Sequence, residues 1–161
     1  MTRRKGTKPE QFAGAFQEYS EIPPRYRLET YAGQYQNRDT WMCYRDQVLL
    51  KEHDSEHMRQ AARKAGNSWL THMERQGQHH ALATPQDANS WCQKLLDGDR
   101  VRRTCYEHYF VRIYQFYDHL KENHQHPHLY NPLLLAAIEY EAARDIWMFR
   151  IDTRPEAISR E

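Results

Sequence analysis

Residues 100–120 read RVRRTCYEHYFVRIYQFYDHL. Tyr106, Tyr109, Phe110, Ile113, Phe116, Tyr117 and Leu120 recur at intervals of 3, 1, 3, 3, 1 and 3, the period of an amphipathic helix with one apolar stripe. Rings in that pattern pack a core; they are not a base-stacking platform, because the fold needs them inside. Arg100, Arg102 and Arg103 stand just before the stripe, at the helix end where backbone amides and dipole favour anions. The segment sets the fold class expected for the chain, all-α.

Helix punctuation continues on both sides. Upstream, Thr84-Pro85-Gln86-Asp87 places a cap, a first-turn proline and a first-turn acid, and Ala88, Trp91, Cys92 and Leu95 give that helix an inner face. Asp97-Gly98-Asp99 ends it in a turn. Further upstream, Ser55 caps a longer helix that stops at Gly77, with Met58, Ala62, Ala65, Trp69 and Met73 on its apolar face. Trp41, Tyr44, Val48 and Leu49 predict another helix from near Asp39 to about Lys51. Downstream, HQHPHLY at 124–130 reads as a loop. Asn131-Pro132 then opens one last helix, whose inner face is Leu134, Leu135, Ile138, Ala142 and Ile146. Before all of these, Phe12, Phe16 and Tyr19 suggest a short helix stopped by Pro23 and Pro24, and Leu28, Tyr31 and Tyr35 a second short piece. Strand-like alternation is scarce. The expected architecture is a compact orthogonal bundle of four to five main helices over 37–150. A basic arm and N-terminal helical extension precede it over 1–36, and a tail comes after it over 151–161.

Bulk properties narrow the function classes. The chain has 161 residues, enough for one domain with a real core. Mean hydropathy is −1.04, yet aromatics make up 12%, which argues against disorder. Net charge is +1 with histidine neutral, so nucleic-acid binding has to come from local clustering rather than a global field. No apolar run approaches the ~20 residues that span a bilayer, and MTRRKGTKPE lacks the apolar stretch of a secretory signal. Cys43, Cys92 and Cys105 are few, odd in number and without CxxC spacing, as expected of reduced cytosolic thiols.

Two polar rows carry the functional reading. On the helix after Ser55, the side opposite Met58, Ala62, Ala65 and Trp69 holds Gln60, Lys64, Asn67 and Thr71, flanked by Arg59 and Arg63. Glu56 and Glu74 lie near that side and weaken its charge. On the aromatic helix the outer side holds Thr104, His108, Val111 and Gln115, with Arg112 and His119 beside them. Amides pair with base edges, and Arg and Lys with phosphates or guanine. A solvated face is the ordinary alternative for either row. Ten histidines include the pair His79-His80, the run His124, His126 and His128, and His53/His57 at helical spacing for zinc. None has an accompanying cysteine or acid set, so no metal, cofactor or catalytic residue is assigned. Gly-rich phosphate loops, GxSxG and HExxH are absent from the sequence.

The order of signals from Arg38 to Pro132 resembles the N-terminal core-binding domain of tyrosine recombinases, the phage-integrase family with a SAM-like four-helix fold. The residues concerned are Trp69-Leu70 and Gly77, then Thr84, Asp87, Trp91 and Leu95. After them come Arg103-Thr104, Tyr106, Arg112-Ile113, Phe116-Tyr117 and Leu120, then Asn131-Pro132. The resemblance implies binding to double-stranded DNA as one half of a clamp. It places Arg59, Arg63, Lys64 and Asn67 on one helix toward DNA, and Arg102, Arg103, Thr104, His108 and Arg112 on the other. Gln60, Arg100 and Gln115 join them from the polar-row reading. The chain departs from that family after Pro132. Members of the family follow this domain with a catalytic domain holding an Arg, a Lys, an H-x-x-R motif and a nucleophilic Tyr; no H-x-x-R occurs after Pro132, and Tyr140 stands in an expected helix without a catalytic neighbourhood.

The expectation is a non-catalytic DNA-binding protein linked to integration or recombination in a mobile element or phage-like genome. It would be cytoplasmic and nucleoid-associated, with a recombinase or a second copy as possible partner. The rival is a helical protein-interaction module, or a truncated integrase remnant, without intrinsic DNA binding. The apolar cluster Ile146 to Phe149 favours the rival. A histidine-based metalloenzyme is the third reading.

Overall fold

The computed structural model describes residues 8–52 and 55–152. Among them every regular element is helical. Helix α1 spans 40–52, with a π turn at Arg45–Leu49 between Thr40–Tyr44 and Leu50–Glu52. Helix α2 is Glu56–Arg75 and α3 is Pro85–Asp97. Helix α4 spans 102–122 and contains a π segment, Cys105–Phe110. Helices α5 and α6 are Pro132–Glu139 and Glu141–Asp152.

The starts reflect local chemistry. The side chains of Asp39, Ser55, Thr84 and Asn131 each accept from a first-turn backbone amide, and Thr84 and Asp87 close a reciprocal capping box. Gly77 takes φ 72°, so its left-handed turn ends α2 while Gln78 N donates to Met73 O.

Helix α4 is the hub. It packs against α1, α2, α3, α5 and α6, while α3, α5 and α6 also pack on one another. Six of the seven stripe residues are buried, and the seventh, Tyr106, is partly so. The core joins Trp69 to Trp91 edge-on at 4.9 Å and sets Tyr117 across Trp69. Gly66 is as important as the large residues, because the Trp41 indole fills the place a Cβ there would need.

The loop between α2 and α3 runs through the interior, with Ala81, Leu82 and Ala83 fully buried. Buried backbone polar groups need partners. Tyr117 Oη donates to His80 O at 2.7 Å and accepts from Ala83 N at 3.1 Å. Trp69 Nε1 donates to His80 O, and His128 Nε2 donates to Ala81 O at 2.6 Å. His79 Nδ1 accepts from Ala81 N, and His80 Nε2 accepts from Trp41 N. The histidines of the two loops thus brace a buried segment. Burial holds them neutral, pushing His80 down to about 3 and His128 down to about 4.

Three local expectations are corrected. The expected single helix after Asn131 breaks at Tyr140, whose φ −129° and ψ 153° are extended. Helix α5 is buried nearly all round, so α6 has to turn away from its axis to present Ala142, Ala143, Ile146 and Trp147 to the core. The expected helix through Phe12, Phe16 and Tyr19 is instead separate 3₁₀ turns, Pro9–Phe12 and Tyr19–Glu21, followed by Pro24–Tyr26, whereas the second short piece is helical as expected, Leu28–Tyr31 as 3₁₀ and Ala32–Tyr35 as an α turn. Proline at 9, 23 and 24 withholds the amides a longer helix needs. Finally, Ile146 and Trp147 lie inside the core, so the Ile146-to-Phe149 cluster is no open docking patch.

The extension is not peripheral. Ile22, Leu28 and Tyr35 belong to the same core, Phe12 meets Trp147 edge-on, and Arg144 Nη1 pairs with Glu10 Oε2 at 2.9 Å. The basic residues of the arm up to Lys5, His53 of the zinc-spaced pair, and the tail from Thr153 lie outside the described residues.

Candidate nucleic-acid interface

Two helices supply the interface, α2 and the first half of α4. On α2 the buried arc is wide, taking in Ala61 and Gly66 besides Ala62, Ala65, Trp69 and Met73. What remains exposed is a strip through His57, Gln60, Lys64 and Asn67, bordered by Arg59 and Arg63. Helix α4 crosses beside the N-terminal half of that strip.

A cleft of about 260 Å³ opens between them, lined by His57, Gln60, Ala61, Lys64, Thr104, His108 and Tyr109. Two rows read separately from the sequence therefore meet across one depression. Gln60 and Lys64 form one wall, Thr104 and His108 the other. No carboxylate is among the lining residues. The nearest described acids on these helices are engaged: Glu56 accepts from Gln60 Nε2, and Glu107 pairs with Arg103 at 3.3 Å.

The cations differ in what they do. The Arg100 guanidinium lies over the Tyr109 ring at 4.7 Å and is not among the cleft-lining residues. Arg102 Nη2 donates to Asp145 O at 2.9 Å and ties α4 to α6. Arg103 is exposed and turned to Glu107. Arg59 and Arg63 are exposed on α2 outside the cleft lining.

Arg112 is placed differently from its expected outer side. It is half-buried in the α2–α4 seam, one turn beyond His108, with Nη1 3.2 Å from Met58 Sδ. Its Nε is buried without a partner, and no described carboxylate pairs with it. Burial pulls this guanidinium's pKa down.

Asn67 is not in the cleft. It lines a separate hollow of about 360 Å³ with Leu70, Thr71, Glu74 and the Gln78-to-His80 turn. Gln115 is exposed and lines neither hollow. His57 and Tyr109 are lining residues that the polar-row reading missed. His57 had a usable signal, since 57, 60, 61 and 64 share one helical stripe. Tyr109 had none, because its place in the apolar stripe marks it as core; it is both, at 8% exposed.

Chemically the lining offers an ammonium, an amide, a hydroxyl and imidazoles, with the Glu56 carboxylate 3.3 Å from the Gln60 amide. Among the described residues no group of three or more His, Cys, Asp or Glu is disposed to hold a metal ion. No described helix is long and apolar enough to cross a membrane. No family model, curated protein or solved structure matches the chain.

Proposed function

We propose that the protein is a non-catalytic DNA-binding domain that seats duplex phosphates and base edges in the α2–α4 cleft. The observation that carries this reading is the acid-free lining contributed by both helices, Gln60 and Lys64 facing Thr104 and His108. Lys64 supplies charge for phosphate. Gln60 and Thr104 supply side chains of the kind that pair with base edges. Arg112 stands behind them as a cation with a buried, unpartnered Nε and no described carboxylate paired to it.

The resemblance to the core-binding domain of tyrosine recombinases supports a role at integration or recombination sites of a mobile element or phage-like genome. On this reading the protein occupies such sites in the nucleoid without performing strand transfer, alone or beside a recombinase. The rival reading, a protein-interaction module, keeps the support of the near-neutral net charge of +1, while Ile146 and Trp147 of its apolar cluster lie in the core.

Anisotropy of a fluorescent duplex, measured from about 50 to about 300 mM salt, tests the proposal. Contacts to a few phosphates give affinity that falls linearly in log–log form, with a slope near −0.9 per neutralised phosphate. Affinity that stays flat across that range, or no binding to any duplex, contradicts it.

A further inference from the structure

A second hollow, of about 310 Å³, lies between the start of α1 and the end of α4. His119, on its wall, is eleven residues beyond His108, about 16 Å further along α4 at ~1.5 Å per residue. The hollow is thus distinct from the cleft and does not rest on the duplex reading.

Several donors on its wall are left over. One carboxylate, Asp39, is in the lining, and its Oδ1 accepts from Met42 N at 3.0 Å. Asn123 Oδ1 accepts from Gln125 N at 2.8 Å, which leaves the Asn123 amide as a donor. Thr40 is only 6% exposed, lines the hollow, and its Oγ1 has no hydrogen-bond partner. His126 Nδ1 meets the Tyr35 hydroxyl. With the phenol as the donor of that bond, the proton of His126 falls on Nε2. Arg38 brings the charge, held over the Tyr35 ring at 4.4 Å. Its backbone is set by Asn37, which takes the left-handed φ of 66°. Burial lowers the pKa of His126, and the neighbouring Arg38 adds to it.

We propose that this hollow is a phosphate-binding pocket, with Arg38, Thr40 Oγ1, Asn123 Nδ2 and His126 Nε2 as its donors. Phosphate matches an array of donors around one cation, because it offers several acceptor oxygens at once. The phosphate comes either from a free phosphomonoester or from a nucleic-acid backbone.

The test is an amide NMR titration of the full chain with inorganic phosphate at constant ionic strength. Saturable shifts at Thr40 and over Asn123 to His126 are expected. Arg38→Gln and Thr40→Val should each weaken the binding at least about fivefold, as loss of a charge-assisted or buried hydrogen bond does. Thr40→Val is near-isosteric and removes an unpartnered hydroxyl, so it should fold. Lys94→Ala, on α3 and in the lining of neither hollow, should bind phosphate as the wild type does. Absence of saturable shifts at these amides, or wild-type binding by both pocket variants, overturns the proposal. So does loss of binding in Lys94→Ala.

Two further arms separate the sources. dAMP binding at least about tenfold tighter than phosphate identifies a free phosphomonoester. Equal binding of dAMP and phosphate, with weaker duplex binding by Arg38→Gln, identifies a backbone phosphate. If no duplex binds at all, the duplex reading fails while the phosphate titration still stands or falls by itself.

Discussion

Arg112 of α4 lies against Met58 of α2, guanidinium to sulfur at 3.2 Å, with its Nε buried and unpartnered. A half-buried cation without a counter-charge destabilises a fold that gains nothing else from it. Replacing it with methionine keeps the length of the side chain and removes the charge. We expect Arg112→Met to raise stability by about 1 kcal/mol in urea unfolding and to weaken duplex binding. A variant that is less stable, with unchanged DNA affinity, would show that Arg112 serves packing alone.

Gly66 reverses the usual rule for helices. Glycine to alanine inside a helix ordinarily stabilises by about 1 kcal/mol. Here the Trp41 indole occupies the space of the Cβ, and Trp41 is itself 3% exposed with nowhere open to move. Gly66→Ala should therefore destabilise by roughly 1–3 kcal/mol, the range for overpacked cores, in a urea melt monitored by tryptophan fluorescence.

Tyr117 holds the buried loop through one hydroxyl, which donates to His80 O and accepts from Ala83 N. In Tyr117→Phe the Ala83 N–H is left buried and unpaired. A loss of about 2 kcal/mol is expected, with the α2–α3 loop amides exchanging faster with deuterium.

Stability should fall on the acid side. His80 and His128 titrate near 6.5 when unfolded, but their folded values are depressed to about 3 and about 4. The unfolded chain therefore binds more protons than the folded chain throughout that window. Their contribution is fully present above about pH 6.5 and is lost as pH falls toward the folded values. His72, His79 and His126 are depressed in the same direction, chiefly by burial. From the first two alone, moving from pH 6 to pH 5 should remove about 2 kcal/mol, measured as the change in urea midpoint at constant m.

The helix starts were legible because each is written in three or four adjacent residues. Thr84 to Asp87 carries cap, proline and acid in one stretch, and Ser55 and Asn131 behave likewise. The core stripe of α4 was legible because its period survives locally. The placement of Arg112 was not. Arg112 follows Thr104 and His108 at intervals of four, and only the packing of α2 against α4 decides that this row turns inward at Met58. The break at Tyr140 was hidden for another reason. Residues 134 to 146 keep helical spacing across it, and only the crowding of α5 on all sides demands the turn. At the candidate site, each row was legible by itself. Their meeting across one cleft depends on how α2 and α4 pack, which no single helical period contains. The separation of Asn67 from Gln60 and Lys64 has the same origin in packing, since α4 covers only the first half of the α2 strip.

The central claim is that the α2–α4 cleft binds duplex DNA, and Lys64 is its most direct handle. Lys94 on α3 is an exposed lysine that does not line the cleft, so Lys94→Ala is the matched control. Duplex affinity and its salt slope, measured for the wild type, Lys64→Ala and Lys94→Ala, decide the matter. The cleft reading predicts at least about fivefold weaker binding for Lys64→Ala, with the slope reduced by about 1, and wild-type behaviour for Lys94→Ala. Equal behaviour of the two variants, whether both bind normally or both lose the same affinity, would contradict it.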